Sequence, residues 1–200
     1  MLEFDHKKAT QAVNYLASKA GGTINKMKAI KLLYFAERYH LRKYGRPIVN
    51  DSYWALKYGP IQSMVKDILD QDPFLADEEK RYAEQYLKQP FWHGRYHIAS
   101  AEEADLKVFS QTDIEALNFS YDKFGSSNQF ELAEITHKYP EWRRHMASLE
   151  AGTTRERMRY EDFFSNPEDK NSDVFEIPEE VLTSSKDIFN EDLKTALLWE

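Results

Sequence analysis

Cysteine is missing altogether from this 200-residue chain. Its absence excludes disulfides, thiolate metal sites and thiol nucleophiles, and suits a reducing cytoplasm, where the protein is expected to reside. Glycine is scarce, with seven residues against 14% aromatics, which excludes a flexible low-complexity chain. Long apolar runs are missing too. Nowhere do about 18 consecutive apolar residues occur, so no membrane span is expected. The opening MLEFDHKKAT has no apolar run after its charges, so no signal peptide is expected either. Neither a Gly-x-Ser-x-Gly elbow, a phosphate-binding loop nor a dinucleotide fingerprint is present, and nothing in the sequence implies a cofactor.

The hydrophobic content of 42% is enough to bury a full core, most simply as one domain plus an extension. Charge is unevenly spread along the chain. Residues 161–200 hold 12 Asp/Glu and 3 Lys/Arg, a net of −9, so the remaining 22 acids and 24 bases give +2 out of the total −7. Between 26 and 46, seven Lys/Arg face only Glu37. A basic helix before an acidic tail has three readings: two solvated surfaces, a tail folded back on the helix, or a basic face meeting an acidic partner. Nucleic acid is not expected, because no helix-turn-helix or zinc-finger pattern accompanies the charge.

The organising stretch is 26–60, and from Asn25 to Tyr44 the residues Met27, Ile30, Leu33, Tyr34, Ala36 and Leu41 approach the helical repeat. Asn25 suits its N-cap, Gly45 a left-handed end, and Pro47 blocks continuation. Leu32, Phe35 and Tyr39 widen the stripe, which predicts a central amphipathic core helix. A first helix over 5–20, capped by Asp5, pairs with it antiparallel. Pro60 is read at position N1 of a third helix running to Leu69, and 74–88 as a fourth, charged one. Tyr96–Ala99 and Leu106–Phe109 are β-like runs that predict a small hairpin or ribbon. Thr112-Asp113-Ile114-Glu115 has the form of a capping box, starting a helix that Gly125 closes, and Ser126 or Ser127 caps the next. Beyond Gly152, residues 155–164 are expected as a short helix, 165–173 as a loop, and Pro178 as the start of a closing helix. Ile188, Leu193, Leu197, Leu198 and Trp199 are expected to dock that helix. The fold class is therefore mainly α, a compact multi-helix domain over 1–150 with an acidic, partly helical extension over 151–200 packed on it.

Histidine and glutamate give the available chemistry. His93 and His97 stand four apart, but Gly94 interrupts and no carboxylate pattern completes a metal site. Glu37/His40 and Glu134/His137 repeat a three-residue spacing on two helices. Each pair alone is unspecific, whereas both in one pocket would form a polar, ligand-binding or acid–base cluster. His137 with Trp142 is expected to fix a helix end through a ring N–H to a backbone carbonyl. Tyr34, Tyr39, Tyr44, Tyr53, Trp54 and Tyr58 form an aromatic set suited to core or, beside Arg38 and Arg42, to an interface.

Lys31-Leu32-Leu33-Tyr34-Phe35-Ala36, the turn at Tyr44-Gly45, then Trp54 and Lys57-Tyr58-Gly59-Pro60-Ile61 resemble the Panacea domain of SocA-like antitoxins. Glu131-Leu132-Ala133-Glu134-Ile135-Thr136-His137 followed by Trp142 resembles its second block, with Ala133 and Ile135 departing from the commonest form. The two blocks lie in the family's order, and the resemblance covers 5–150. It implies a prokaryotic or phage-associated antitoxin without enzymatic activity, neutralising a cognate protein toxin by direct binding. The residues carried over, as family markers or partner contacts, are Lys31, Leu32, Leu33, Tyr34, Arg38, Trp54, Tyr58, Gly59, Pro60, Thr136, His137 and Trp142. Two other readings remain at this point: an adaptor that delivers a partner to a host protease, for which a mobile acidic tail would serve, and a ligand-binding or enzymatic domain using the Glu/His cluster.

Overall fold

A computed structural model describes residues 3–91, 94–168 and 174–198. His93 and Trp199, and the part of the expected loop at 169–173, lie outside the described residues. The chain is mainly helical, with nine α-helices among the described residues: α1 (His6–Lys19), α2 (Lys26–Tyr44), α3 (Ser63–Asp70), α4 (Asp77–Tyr86), α5 (Gln111–Phe124), α6 (Gln129–Thr136), α7 (Pro140–Arg143), α8 (Met146–Glu150) and α9 (Glu179–Leu198). Two antiparallel three-stranded sheets accompany them. One has the order β1 (Thr23–Asn25), β5 (His97–Ser100), β4 (Leu87–Lys88); the other has β3 (Gly59–Gln62), β2 (Tyr53–Leu56), β6 (Glu156–Arg157). No helix among the described residues is long and apolar enough to cross a membrane.

Local chemistry sets the first two helices. The Asp5 carboxylate accepts from the Lys8 amide at 2.9 Å, and the Asn25 side chain from the Lys28 amide at 3.2 Å, each covering an orphan donor. Gly45 ends α2 at φ 72°, its N–H returning to the Leu41 carbonyl. α2 packs against α1, α5, α6, α9 and β3. As a result it does not divide into an apolar stripe and a solvated basic face. Lys31, Glu37, Arg38, His40 and Arg42 are buried along with its apolar residues.

The β structure departs from expectation. Leu106–Val108 forms a 3-10 turn, so no hairpin joins it to β5. β5 instead pairs with β1, with Ile24 opposite Ile98, and with β4, with Leu87 opposite Ser100. The hairpin lies at β2–β3, where Lys57 and Tyr58 turn the chain and Leu56 faces Gly59. Pro60 therefore sits in a strand and not at a helix start. An edge strand tolerates the missing N–H, and α3 begins three residues later. Two caps also move. α5 opens with Ser110 and Asp113 as the reciprocal box, and α6 with Asn128 and Glu131.

Residues after 150 join the same core. Met158, Phe163, Phe164, Phe175, Leu182 and Phe189 cluster with Leu33, Phe35 and Phe124. The stretch expected as a helix over 155–164 is β6 and a 3-10 turn (Tyr160–Phe164). α9 follows Pro178 and docks through Leu182, Ser185 and Phe189, with the expected Leu193 packed against the core. Ile188 is largely exposed with one side against Gly45, whereas the expected contacts of Leu197 and Leu198, the latter 83% exposed, are not made.

Candidate functional site

Lys31, Tyr34 and Arg38 follow one another at intervals of three and four along α2, so their side chains form one row. The row meets the β2–β3 hairpin on one side and the stretch from α6 to α7 on the other. Lys31 Nζ donates to the Pro60 carbonyl at 2.6 Å. Gly59, at φ +86°, presses against this point, and a Cβ there would collide with Thr136 Oγ1 and Lys31 Nζ. Thr136 Oγ1 donates to the Ala133 carbonyl at 2.6 Å. Trp142 Nε1 donates to the Leu56 carbonyl at 2.9 Å, and the His137 ring stacks on the indole at 3.7 Å. The expected ring N–H bond at this helix end thus comes from the tryptophan, while histidine supplies a flat face.

One turn further along α2, Glu141 accepts from the Tyr34 hydroxyl and from Arg38 Nη1, the latter at 2.5 Å to both carboxylate oxygens. Arg38 also lies over the Tyr139 ring at 4.2 Å. Arg42 donates to the carbonyls of Phe163, Ser165 and Phe175 and to Asn166 Oδ1. Of the three readings of the charge asymmetry, the fold-back is realised here, with backbone carbonyls of the tail accepting from the basic helix.

Most residues singled out by the motifs are therefore interior. Leu32 and Leu33 are fully buried in the core, and Lys31, Tyr34, Arg38, Thr136 and Trp142 are buried in the network. Gly59 and Pro60 are buried as well. Tyr58 is 59% exposed at the hairpin tip beside the Lys57 ammonium, and half-buried Trp54 lies under the Arg155 guanidinium at 4.7 Å. Behind the hairpin, an open groove of about 920 Å³ runs past the N-terminal end of α2, with Met27, Ile30, Leu56, Ile61 and Leu69 along it.

The two Glu/His pairs do not combine. Glu37 accepts from the Ile48 and Val49 amides at 2.9 and 2.8 Å, and His40 engages the Arg46 carbonyl and Thr112. Glu134 is exposed, 3.9 Å from His137, which belongs to the tryptophan stack. Among the described residues no group of three or more His, Asp or Glu is placed to hold a metal.

Burial sets the electrostatics. Desolvation alone lowers the Lys31 amine from its usual range to about 7, and desolvation raises the Glu37 carboxyl to about 7 against the two amides that favour its charged form. The unfolded chain keeps the Lys31 proton up to about pH 10, whereas the folded chain releases it near 7. Between those limits the unfolded state binds more protons, so this group makes stability rise with pH. Lys31→Met should remove the rise. Urea midpoints from pH 7.5 to 9.5 are expected to show wild type gaining about 2–3 kcal/mol on the variant, at about 1.4 kcal/mol per pH unit. Parallel pH profiles would contradict the assignment.

Sequence reasoning missed Glu141, Arg42's carbonyl cradle and Asp51, whose carboxylate accepts from the Ser52, Met64 and Val65 amides at the start of α3. Asp51 followed by a helix some dozen residues later gave no cap spacing. Glu141 lies 103 residues from Arg38.

A family model described as Antitoxin SocA-like, Panacea domain, matches residues 30–143. No curated protein and no solved structure matches the chain.

Proposed function

The chain belongs to the SocA-like Panacea-domain antitoxin family, and from that premise we propose that it neutralises a cognate protein toxin in a prokaryotic or phage-infected cytoplasm by binding it directly. The observation carrying this reading is the match itself, which spans the row on α2, the hairpin and the α6–α7 segment. The geometry supports binding over catalysis. Lys31 and Trp142 turn inward to fix the hairpin and Tyr34 and Arg38 turn inward onto Glu141, while Lys57, Tyr58 and Trp54 present the hairpin's outer side. A fixed scaffold carrying exposed aromatics is suited to masking a toxin surface, because little freedom is lost on binding. Delivery to a protease drew on a mobile acidic tail. With α9 docked through Phe189 and Leu182, masking is the reading proposed.

Expressing the product of the open reading frame adjacent to this gene, alone and with this protein, tests the proposal. Growth arrest alone, rescue on co-expression and a purified complex of the two are expected. A harmless neighbour, or arrest without rescue, would overturn it. Faster loss of the neighbour when a host protease is added would favour delivery instead.

A further inference from the structure

Resting on the antitoxin reading, we infer that the toxin is held in the groove at the N-terminal end of α2, and that it contributes an apolar segment flanked by carboxylates. The groove has an apolar floor of Met27, Ile30, Leu56, Ile61 and Leu69 and is bordered by two large exposed rings. Phe130 is 60% exposed and Tyr96 is 62% exposed. Phe130 occupies the first turn of α6, where Asn128 and Glu131 already complete the cap without it. A ring left in water beside an apolar groove marks a place where burial is still to be gained. The groove is also preorganised. Leu56 is fixed by Trp142 and the start of β3 by Lys31, so the wall that a ligand meets is held before it arrives.

Charge identifies the occupant. Lys26, Lys66 and Arg95 line the groove against the single carboxylate of Asp70. Lys26 and Lys66 converge on Asp70 at 3.1 and 2.9 Å. Arg95 lies over the exposed Tyr96 ring at 5.1 Å from its centroid and donates to its hydroxyl at 2.9 Å, with no carboxylate beside it among the described residues of the groove lining. On a chain whose formal charge is −7, this is a positive rim around an apolar floor. A matching ligand carries apolar side chains and adjacent Asp or Glu. A second copy of this chain is disfavoured by the repulsion between two net-negative bodies. The chain's own acidic C-terminal helix is seated elsewhere, with Ser185 and Ile188 against Gly45 at the opposite end of α2.

The test uses the full chain co-expressed with the product of the adjacent open reading frame. A photoreactive benzoylphenylalanine at position 130 should cross-link that product, and the captured peptide should be apolar with Asp or Glu within a few residues. Phe130→Ala and Arg95→Glu, both at exposed positions, should keep the wild-type melting temperature and weaken the complex at least tenfold, the second with a reduced salt dependence. Variants that bind and rescue like wild type would overturn the groove assignment and leave the antitoxin reading standing. Cross-links to a second copy of this chain, or to a basic or polar segment, would do the same. Failure of the wild-type chain to bind or rescue removes the antitoxin reading and the groove assignment with it.

Discussion

Glu141→Ala is expected to lower folding stability by about 3–5 kcal/mol, the range for breaking a buried ion pair by removing one partner. Both Glu141 and Arg38 are fully buried, and the carboxylate is the anion on which the Arg38 guanidinium and the Tyr34 hydroxyl converge. Without it, Arg38 loses the carboxylate that its Nη1 engages through both oxygens and keeps its contacts to the carbonyls of Phe163 and Ser165 at 3.5 and 3.3 Å. Glu141→Gln retains the shape and one acceptor, and should lose less. The double variant Arg38→Met with Glu141→Leu removes charge on both sides and should recover most of the loss, because the penalty comes from the stranded ion. Urea unfolding midpoints at constant slope measure all three. A Glu141→Ala loss below about 1 kcal/mol would show that the buried pair does not hold α7 to α2. Against a typical total of about 5–15 kcal/mol, the expected loss is a large fraction of the whole.

How much of this was readable beforehand depends on the range of the interactions. Asp5, Asn25 and Gly45 bind groups within four residues, so the bounds of α1 and α2 were open to sequence reasoning. The α5 cap shows where such reasoning reaches its limit. Ser110-x-x-Asp113 and Thr112-x-x-Glu115 both have the spacing of a capping box. The choice is made from outside the segment. Glu115 is drawn away by the Tyr39 and Tyr44 hydroxyls and Lys43, at 2.6, 2.6 and 2.7 Å, while His40 engages Thr112. Likewise, β5 takes one partner from β1, far off in sequence, and the other from the two-residue β4 on its N-terminal side, so a pattern pairing it forward with Leu106–Phe109 misassigned it.

For the candidate site, residue identities were legible and their roles were not. The cations from 26 to 46 read as one basic face. In the fold, Lys31, Arg38 and Arg42 turn inward, whereas Lys26 reaches Asp70, Lys28 the Gly125 carbonyl, Lys43 Glu115, and Arg46 Ser110 and Thr112. Burial of Arg42 depends on carbonyls 121 to 133 residues later, which no periodicity encodes. The groove escaped notice for the same reason, since its wall combines α2, the hairpin, α3 and α6.

Phe175→Ala should cost a further large amount, about 3–5 kcal/mol, as expected for emptying a buried aromatic site. The residue lies beyond the stretch matched by the family model, in the region that the polar composition after 150 marked as an extension. It is 1% exposed, and its ring stands 5.2–5.9 Å from those of Phe35, Phe119, Phe124 and Tyr139. Its carbonyl accepts from Arg42 Nε at 3.2 Å, so the same residue closes the aromatic core and helps seat a buried cation. Alanine keeps that carbonyl while removing the ring, which isolates the packing contribution; Phe175→Leu should lose clearly less. A fragment ending at Gly152 removes Phe163 and Phe189 as well, and exposes the aromatic faces of α2 and α5. We propose that this fragment lacks a cooperative thermal transition, the extension being part of the one core. A cooperative fragment, together with a Phe175→Ala loss below about 1 kcal/mol, would make the last fifty residues an appendage to a domain that ends near 150. In the expected case the charge in that stretch decides nothing about its folding. Four phenylalanines placed against α2 and its neighbours outweigh a polar average, because burial depends on where the rings lie and not on the composition around them.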